Sequence, residues 1–269
     1  MKQVLKVLGL CLAVLLFGAV DAEAGASPTL SRIVERGELR VGTSGNQPPF
    51  VMKDREGNLI GFEVDLANAI AGAMDVKLNL VTKPFGELLP ALEKGEVDMV
   101  MSGLTMTPER NMRFAFIGPY YVSGKSILTK SDTLAKIEQA SDVDRENLTL
   151  VALAGSTSQT FVEKVIPKAT LVAVNDYDEA VKMVMEDKAA AMVADLPICV
   201  VTVLRHPNAG LATSVTPLTL EPIGVALPPN DPLFVNFTEN IFAAVQLTGG
   251  LDALRLKWFE SSAWLAALP

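Results

Sequence analysis

From residue 39 onward the chain alternates between short apolar runs and segments whose apolar residues recur every four positions. Leu39-Arg40-Val41-Gly42-Thr43 reads as a strand, and Ser44-Gly45-Asn46-Gln47-Pro48-Pro49 as a loop by its turn residues. Phe62, Leu66, Ile70 and Met74 place an apolar stripe on one helix face. Lys77–Val81 is the next strand, Gly86–Lys94 a short helix ending at Gly95, and Val97–Met101 a third strand. This β-α-β-α-β order predicts a parallel sheet with right-handed crossovers. A second run repeats the plan: strand Leu148–Leu153, helix Gln159–Val165, strand Thr170–Val174, helix Tyr177–Glu186 and strand Ala189–Ala194. The segment ending at Ser102 and the one ending at Asp195 look like one unit used twice, which predicts an α/β protein of two lobes. At the end, Asp231-Pro232 is a helix cap followed by proline, and Leu233–Val245 and Leu251–Phe259 carry helical stripes.

The first 24 residues follow a different pattern. Lys2 and Lys6 precede an unbroken apolar stretch, Val7–Val20, and Ala22-Glu23-Ala24 places small residues where a signal peptidase reads. The stretch is short for a membrane span of ~20 residues, so the pattern is a secretory leader cleaved near Ala24, and the mature chain is exported. Cys11 follows Leu10, where a lipoprotein leader requires a small residue, so no lipid is expected. Cleavage removes Cys11 and leaves Cys199, within the apolar run Leu196–Leu204, without a disulfide partner. No later apolar run approaches a span in length.

Composition narrows the function. The chain has 31 acidic and 23 basic residues, a net charge of −8 and one histidine. Nucleic-acid binding needs a basic face, which this balance does not supply. Two cysteines and one histidine leave little for a metal site, and the nucleophile-elbow, zinc-protease and dinucleotide fingerprints are absent. No cofactor is implied.

Open α/β sheets bind ligands outside the carboxyl ends of their strands. That rule selects Ser44–Phe50, Ser102–Arg110, Gly155–Thr157 and Asp195. Thr107-Pro108-Glu109-Arg110 reads as a capped helix start with a cation in its first turn, which opposes the helix dipole by about 0.3–1 kcal/mol. Arg110 is either an anion-binding residue or a surface arginine. Gly155-Ser156-Thr157-Ser158-Gln159 opens a helix, with Ser156 and Gln159 fitting a capping box, and is either an ordinary cap or a carboxylate site made of free N–H groups. Asp195 stands between two apolar runs, as a turn former before Pro197 or as a buried carboxylate that needs a cationic partner. Phe50 and Phe85 are loop aromatics, in the core or on a ligand wall. An anion-reading corner and a cation-reading carboxylate together describe a receptor for a zwitterion, and an α-amino acid carries both charges on one carbon.

The chain resembles the bacterial extracellular solute-binding proteins of family 3, the periplasmic amino-acid-binding components of ABC transporters. The resemblance rests on Gly37–Gly42, Pro48-Pro49-Phe50, Gly57–Leu66, Gly95–Val100, Ser102–Arg110, Phe116–Tyr121, Gly155–Ser158 and Ala194-Asp195, in family order over nearly the whole mature chain. It implies the type II periplasmic-binding-protein-like fold: two α/β lobes joined by two hinge strands, with the ligand cleft between them. Lobe 1 is then residues 25–122 plus 223–269, and lobe 2 residues 123–221. It further implies that Arg110 grips the ligand carboxylate, that Ser102, Gly103, Thr105, Ser156 and Thr157 add donors and acceptors, and that Asp195 takes the ammonium. The family often carries an aromatic where this chain has Gln47, and its receptors for cationic amino acids place an acid where this chain has Ser44. Asn46 and Gln47 either hydrogen-bond a polar side chain or only shape the loop, and Phe85 would pack on the side chain's stem. The expected ligand is a polar, uncharged amino acid, bound by a monomer and handed to an inner-membrane permease.

Two other functions fit the same fold. Some cyclohexadienyl dehydratases resemble these receptors; such an enzyme needs a general acid or base, for which Glu63, Glu87 and Asp195 are the unassigned carboxylates. A sensor module would need a separate membrane partner, since the sequence ends at Pro269 without a spanning helix.

Overall fold

Two five-stranded sheets divide the chain. The computed structural model describes residues 27–269, and the leader read over residues 1–24 lies outside them. The first sheet has the order β4-β1-β5-β12-β6, formed by β1 (Glu38–Thr43), β4 (Lys77–Thr82), β5 (Met99–Val100), β6 (Ala115–Ser123) and β12 (Glu221–Leu227). The second has the order β11-β7-β10-β8-β9, formed by β7 (Lys125–Thr129), β8 (Thr149–Leu153), β9 (Thr170–Val174), β10 (Ala191–Asp195) and β11 (Ala212–Thr213). A hairpin of β2 (Met52–Lys53) and β3 (Leu59–Ile60) stands apart.

The expectation of a parallel sheet holds for β1, β4 and β5 and for β8, β9 and β10. Both sheets are nevertheless mixed. Strands β6, β7 and β12 carry the chain between the two sheets, and they run antiparallel to their neighbours. The chain leaves the first sheet at Ser123, enters the second at Lys125, and returns at Glu221.

The helical stripes hold where the pattern is long. Helix α2 (Phe62–Ala73) buries Phe62, Leu66 and Ile70 completely. The helix expected over 86–94 begins instead as a 3-10 turn at Phe85–Glu87 and becomes α3 only over Leu88–Glu93. The apolar run around Cys199 is helix α7 (Leu196–Arg205), and the final stripe is α9 (Gly250–Arg255) continued by a π turn, Leu256–Glu260. Between them in sequence, Asp231 caps α8 (Pro232–Leu247) by accepting from Phe234 N, and also accepts from Ser27 Oγ and Thr29 N at the start of α1 (Pro28–Arg36).

Strand β10 is buried along its whole length because both of its faces are covered. Ala191 and Val193 face one apolar cluster, with Leu150, Val162 and Ile166, whereas Met192 and Ala194 face another. That second cluster continues from Leu128, Val151 and Ile198 to Leu88, Val100 and Leu104 of the first lobe. Cys199 lies in it, fully buried, and burial pushes its thiol up to about 12. Since the thiolate is the nucleophile, iodoacetamide at pH 8 is expected to leave Cys199 unmodified in the folded protein and to label it in urea. Equal labelling rates in both, followed by mass spectrometry, would contradict this packing. Among the described residues, no helix is long and apolar enough to cross a membrane, and no group of His, Cys, Asp or Glu is placed to hold a metal ion.

Candidate functional site

The carboxyl ends of the strands from both sheets converge on one cleft. Thr107 caps a single helical turn, α4 (Pro108–Asn111), by accepting from Arg110 N at 3.2 Å. This turn aims the Arg110 side chain across the cleft. Its Nη1 donates to Thr105 O (2.8 Å) and its Nη2 to Gly155 O of the second lobe (3.3 Å), while the guanidinium carbon lies 5.9 Å from the Phe85 ring centre. Burial lowers the Arg110 pKa, while the carboxylates of Glu221 and Asp195 act in the opposite sense.

The two lobes touch here. Thr105 Oγ1 and Thr157 Oγ1 are 3.2 Å apart. Gly155 has φ +73°, and a Cβ on it would come within 2.8 Å of Gly86 Cα, so this close approach requires glycine. Arg110, Gly155, Ser156 and Thr157 line a cavity of about 510 Å³ on one side of the contact. On the other side, Ser44 and Asn46 face Tyr177, Ile198 and Arg205 across about 380 Å³. Asn46 Oδ1 is buried there without a hydrogen-bond partner.

Ser102 organises the loop after β1. Its hydroxyl accepts from Ser44 N (3.0 Å) and Gln47 Nε2 (3.4 Å) and donates to Ser44 Oγ (2.9 Å). Gln47 is buried, and its backbone pairs with Val51 in both directions. Of the two aromatics, Phe85 lies beside Arg110, but Phe50 is core. Phe50 is fully buried, edge-on to Tyr121 and Phe259 at 5.5 and 5.2 Å, and supports Gly103 from behind rather than walling the cleft.

Helix α5 (Thr157–Val165) begins with half of the expected capping box. Ser156 Oγ accepts from Gln159 N at 3.2 Å. The reciprocal bond goes elsewhere: Gln159 Oε1 accepts from Gly155 N (2.8 Å), not from Ser156 N, because Gln159 reaches one residue further back. One N–H of the expected anion site is therefore occupied by the protein itself.

Asp195 precedes α7 without capping it; its carboxylate is turned to Lys125, whose Nζ lies 2.7 Å from Oδ1. Sequence reasoning found the buried carboxylate but missed this partner and Glu221, whose Oε2 is 3.6 Å from the same Nζ. The local sequence carries no comparable signal: Lys125 opens Lys125-Ser126-Ile127-Leu128-Thr129, a mixed run unlike the nearly all-apolar runs on either side of Asp195. Burial raises the Asp195 pKa, opposed by Lys125 and Arg110. Of the other two carboxylates weighed for acid–base chemistry, Glu87 is exposed, and Glu63 lies buried behind Gly103, accepting from Gly103 N (2.7 Å) and from the Tyr120 hydroxyl.

Comparison with known proteins agrees with this architecture. The Pseudomonas aeruginosa cyclohexadienyl dehydratase is 26% identical over 93% of this chain and 92% of its own. The Escherichia coli ABC transporter arginine-binding protein 1 is 24% identical over 94% of this chain and 98% of its own. The crystal structure of a binding component of an ABC transporter from Wolinella succinogenes, complexed with lysine, is 38% identical and superposes with a TM-score of 0.81, covering 86% of this chain and 99% of that one. The profile of the bacterial extracellular solute-binding proteins, family 3, matches residues 39–261. With a two-lobed α/β fold whose strand ends meet at one cleft, the chain belongs to that family of extracellular solute-binding proteins.

Proposed function

We propose that this solute-binding protein is the periplasmic receptor of an amino-acid ABC transporter, exported by a leader cleaved near Ala24, acting as a monomer and delivering its ligand to an inner-membrane permease. The observation that carries the reading is a charge arrangement: the Arg110 guanidinium of the first lobe reaches Gly155 O of the second and lies within the field of the Asp195 and Glu221 carboxylates. An α-carboxylate belongs on the remaining guanidinium N–H groups, with further contacts from Thr105, Ser156 and Thr157, and an α-ammonium belongs beside Asp195; the Ser102 hydroxyl and the Gly103 N–H, already bonded to Ser44 and Glu63, shape the turn behind the ligand. The ligand side chain would point toward Phe85 and the loop of Ser44, Asn46 and Gln47. That loop is uncharged, and Asn46 Oδ1 offers an unused acceptor. A polar, uncharged side chain suits it better than the cationic ligands of the arginine- and lysine-binding relatives.

A ligand that binds only the folded state raises stability by RT ln(1 + [L]/Kd). A thermal-shift screen of the proteinogenic amino acids is therefore expected to single out one or a few polar members, with calorimetry giving the affinity. Lobe closure follows if the ligand contacts both sides better than either alone, so small-angle scattering is expected to show a smaller radius of gyration at saturation than in the ligand-free protein. Absence of any amino-acid hit would overturn the reading. The dehydratase relative supplies the competing outcome: incubation with prephenate or arogenate is expected to yield no product, and turnover would make the chain an enzyme.

A further inference from the structure

We propose that Lys125 and Glu221, at the two points where the chain crosses between the lobes, set the preference for an α-ammonium by fixing the charge that Asp195 presents to the cleft. The proposal rests on the reading of the cleft as an amino-acid site. Strands β7 and β10 are antiparallel neighbours with Lys125 directly opposite Asp195, so both side chains share one face of the sheet at its cleft end. The Lys125 side chain is only 1% exposed, and its Nζ has two protein carboxylates as neighbours, Asp195 Oδ1 at 2.7 Å and Glu221 Oε2 at 3.6 Å.

The geometry of the crossings holds the lysine in place. Lys125 N donates to Thr219 Oγ1 (2.9 Å), and the same hydroxyl donates to Glu221 Oε1 (2.9 Å). A Cβ on Gly124 would come within 2.0 Å of Thr219 O, so the two crossings are packed backbone against backbone. Lys125 therefore sits between two fixed carboxylates and cannot swing out to water.

One cation between two carboxylates leaves one net negative charge on this wall, facing the positive charge of Arg110. An ammonium entering beside Asp195 competes with Lys125 for the same carboxylate, and it can win because Lys125 retains Glu221. Neutralising Glu221 commits Lys125 to Asp195, so the wall becomes neutral and the ammonium meets a repelling cation. Neutralising Lys125 leaves both carboxylates to the ammonium. The two substitutions act in opposite directions, whereas an ion cluster that only holds the hinges together would weaken every ligand alike.

The measurement is the ratio of the Kd of the deaminated 2-hydroxy acid to that of the parent amino acid, by calorimetry at pH 7, using the amino acid that wild type binds most tightly. Coupling between closely spaced, desolvated charges is large enough for changes of about tenfold or more. The ratio is expected to rise about tenfold in Lys125→Met and to fall about tenfold in Glu221→Gln. Ratios that stay within about threefold of wild type, or that move in the same direction in both variants, overturn the proposal while leaving the amino-acid site intact. A wild type that binds no amino acid overturns both. Should Lys125→Met fail to fold, Glu221→Gln decides alone: its amide oxygen can still accept from Thr219, and an unchanged ratio overturns the proposal.

Discussion

Arg110→Ala is expected to reduce amino-acid affinity by roughly 30-fold to several-thousand-fold while lowering the unfolding midpoint in urea only modestly, through the loss of its bonds to Thr105 and Gly155. The magnitude corresponds to the roughly 2–5 kcal/mol lost when one partner of a desolvated, hydrogen-bonded charge pair is truncated. The guanidinium is held in position by contacts within the protein. Two of its N–H groups are bonded to Thr105 O and Gly155 O, and Phe85 lies under it. The remaining donors form a planar edge suited to a carboxylate. Because one of its bonds ends on the second lobe, Arg110 also helps close the cleft, so the variant loses both the ligand contact and a contact between lobes. Arg110→Lys retains the charge but has a single nitrogen to divide among Thr105, Gly155 and the ligand, so it too should bind poorly. The loss of stability should be small because the side chain belongs to the cleft and not to an apolar cluster. Asp195→Ala should likewise bind weakly, with Glu221 remaining as the counter-charge for Lys125. Calorimetric titration checks both positions, and an Ala variant within about threefold of wild type, a difference of ~0.65 kcal/mol, would place that residue outside the site.

The parts of this site that were legible in the sequence are those carried by local pattern. Strand ends can be read from short apolar runs, and strand ends are where such sheets bind ligands; that sufficed to mark Ser102–Arg110, Gly155–Thr157 and Asp195. The apolar runs of β8, β9 and β10 and the stripe of α2 were likewise readable. The strands that join the lobes were not. Strand β6 contains Gly118 and Pro119, which break any alternation, and a register shift between Ile223 and Val225 interrupts its pairing with β12. Lys125 and Glu221 escaped for a related reason. Lys125 meets Asp195 across 70 residues of sequence, through an antiparallel pairing that no local periodicity records. Phe50 illustrates the opposite error. A loop aromatic next to a strand end satisfies the rule for a ligand wall, but Tyr121 and Phe259, remote in sequence, cover it completely.

Glu63 should make the protein less stable as pH rises from about 4.5 to about 7, by about 3 kcal/mol. Its side chain is buried at the start of α2, where the helix dipole favours a carboxylate. Tyr120 and Gly103 both donate to Oε1, but Oε2 is buried without a partner. Burial outweighs the two hydrogen bonds and pushes the carboxyl from its ordinary 4.5 up to about 7. Between these values the folded protein holds a proton that the unfolded chain has released. The stabilisation is therefore complete below about 4.5 and is lost as pH rises through about 7. Glu63→Gln keeps an oxygen for Tyr120 and Gly103 and removes the titration. In urea unfolding the variant should match wild type near pH 4.5 and exceed it by about 3 kcal/mol at pH 8. Since the glutamine still holds Gly103 N, ligand affinity at pH 7 should stay within about threefold of wild type. A stability difference that does not change with pH would mean that Glu63 is ionised in the fold throughout, and that Oε2 has a donor.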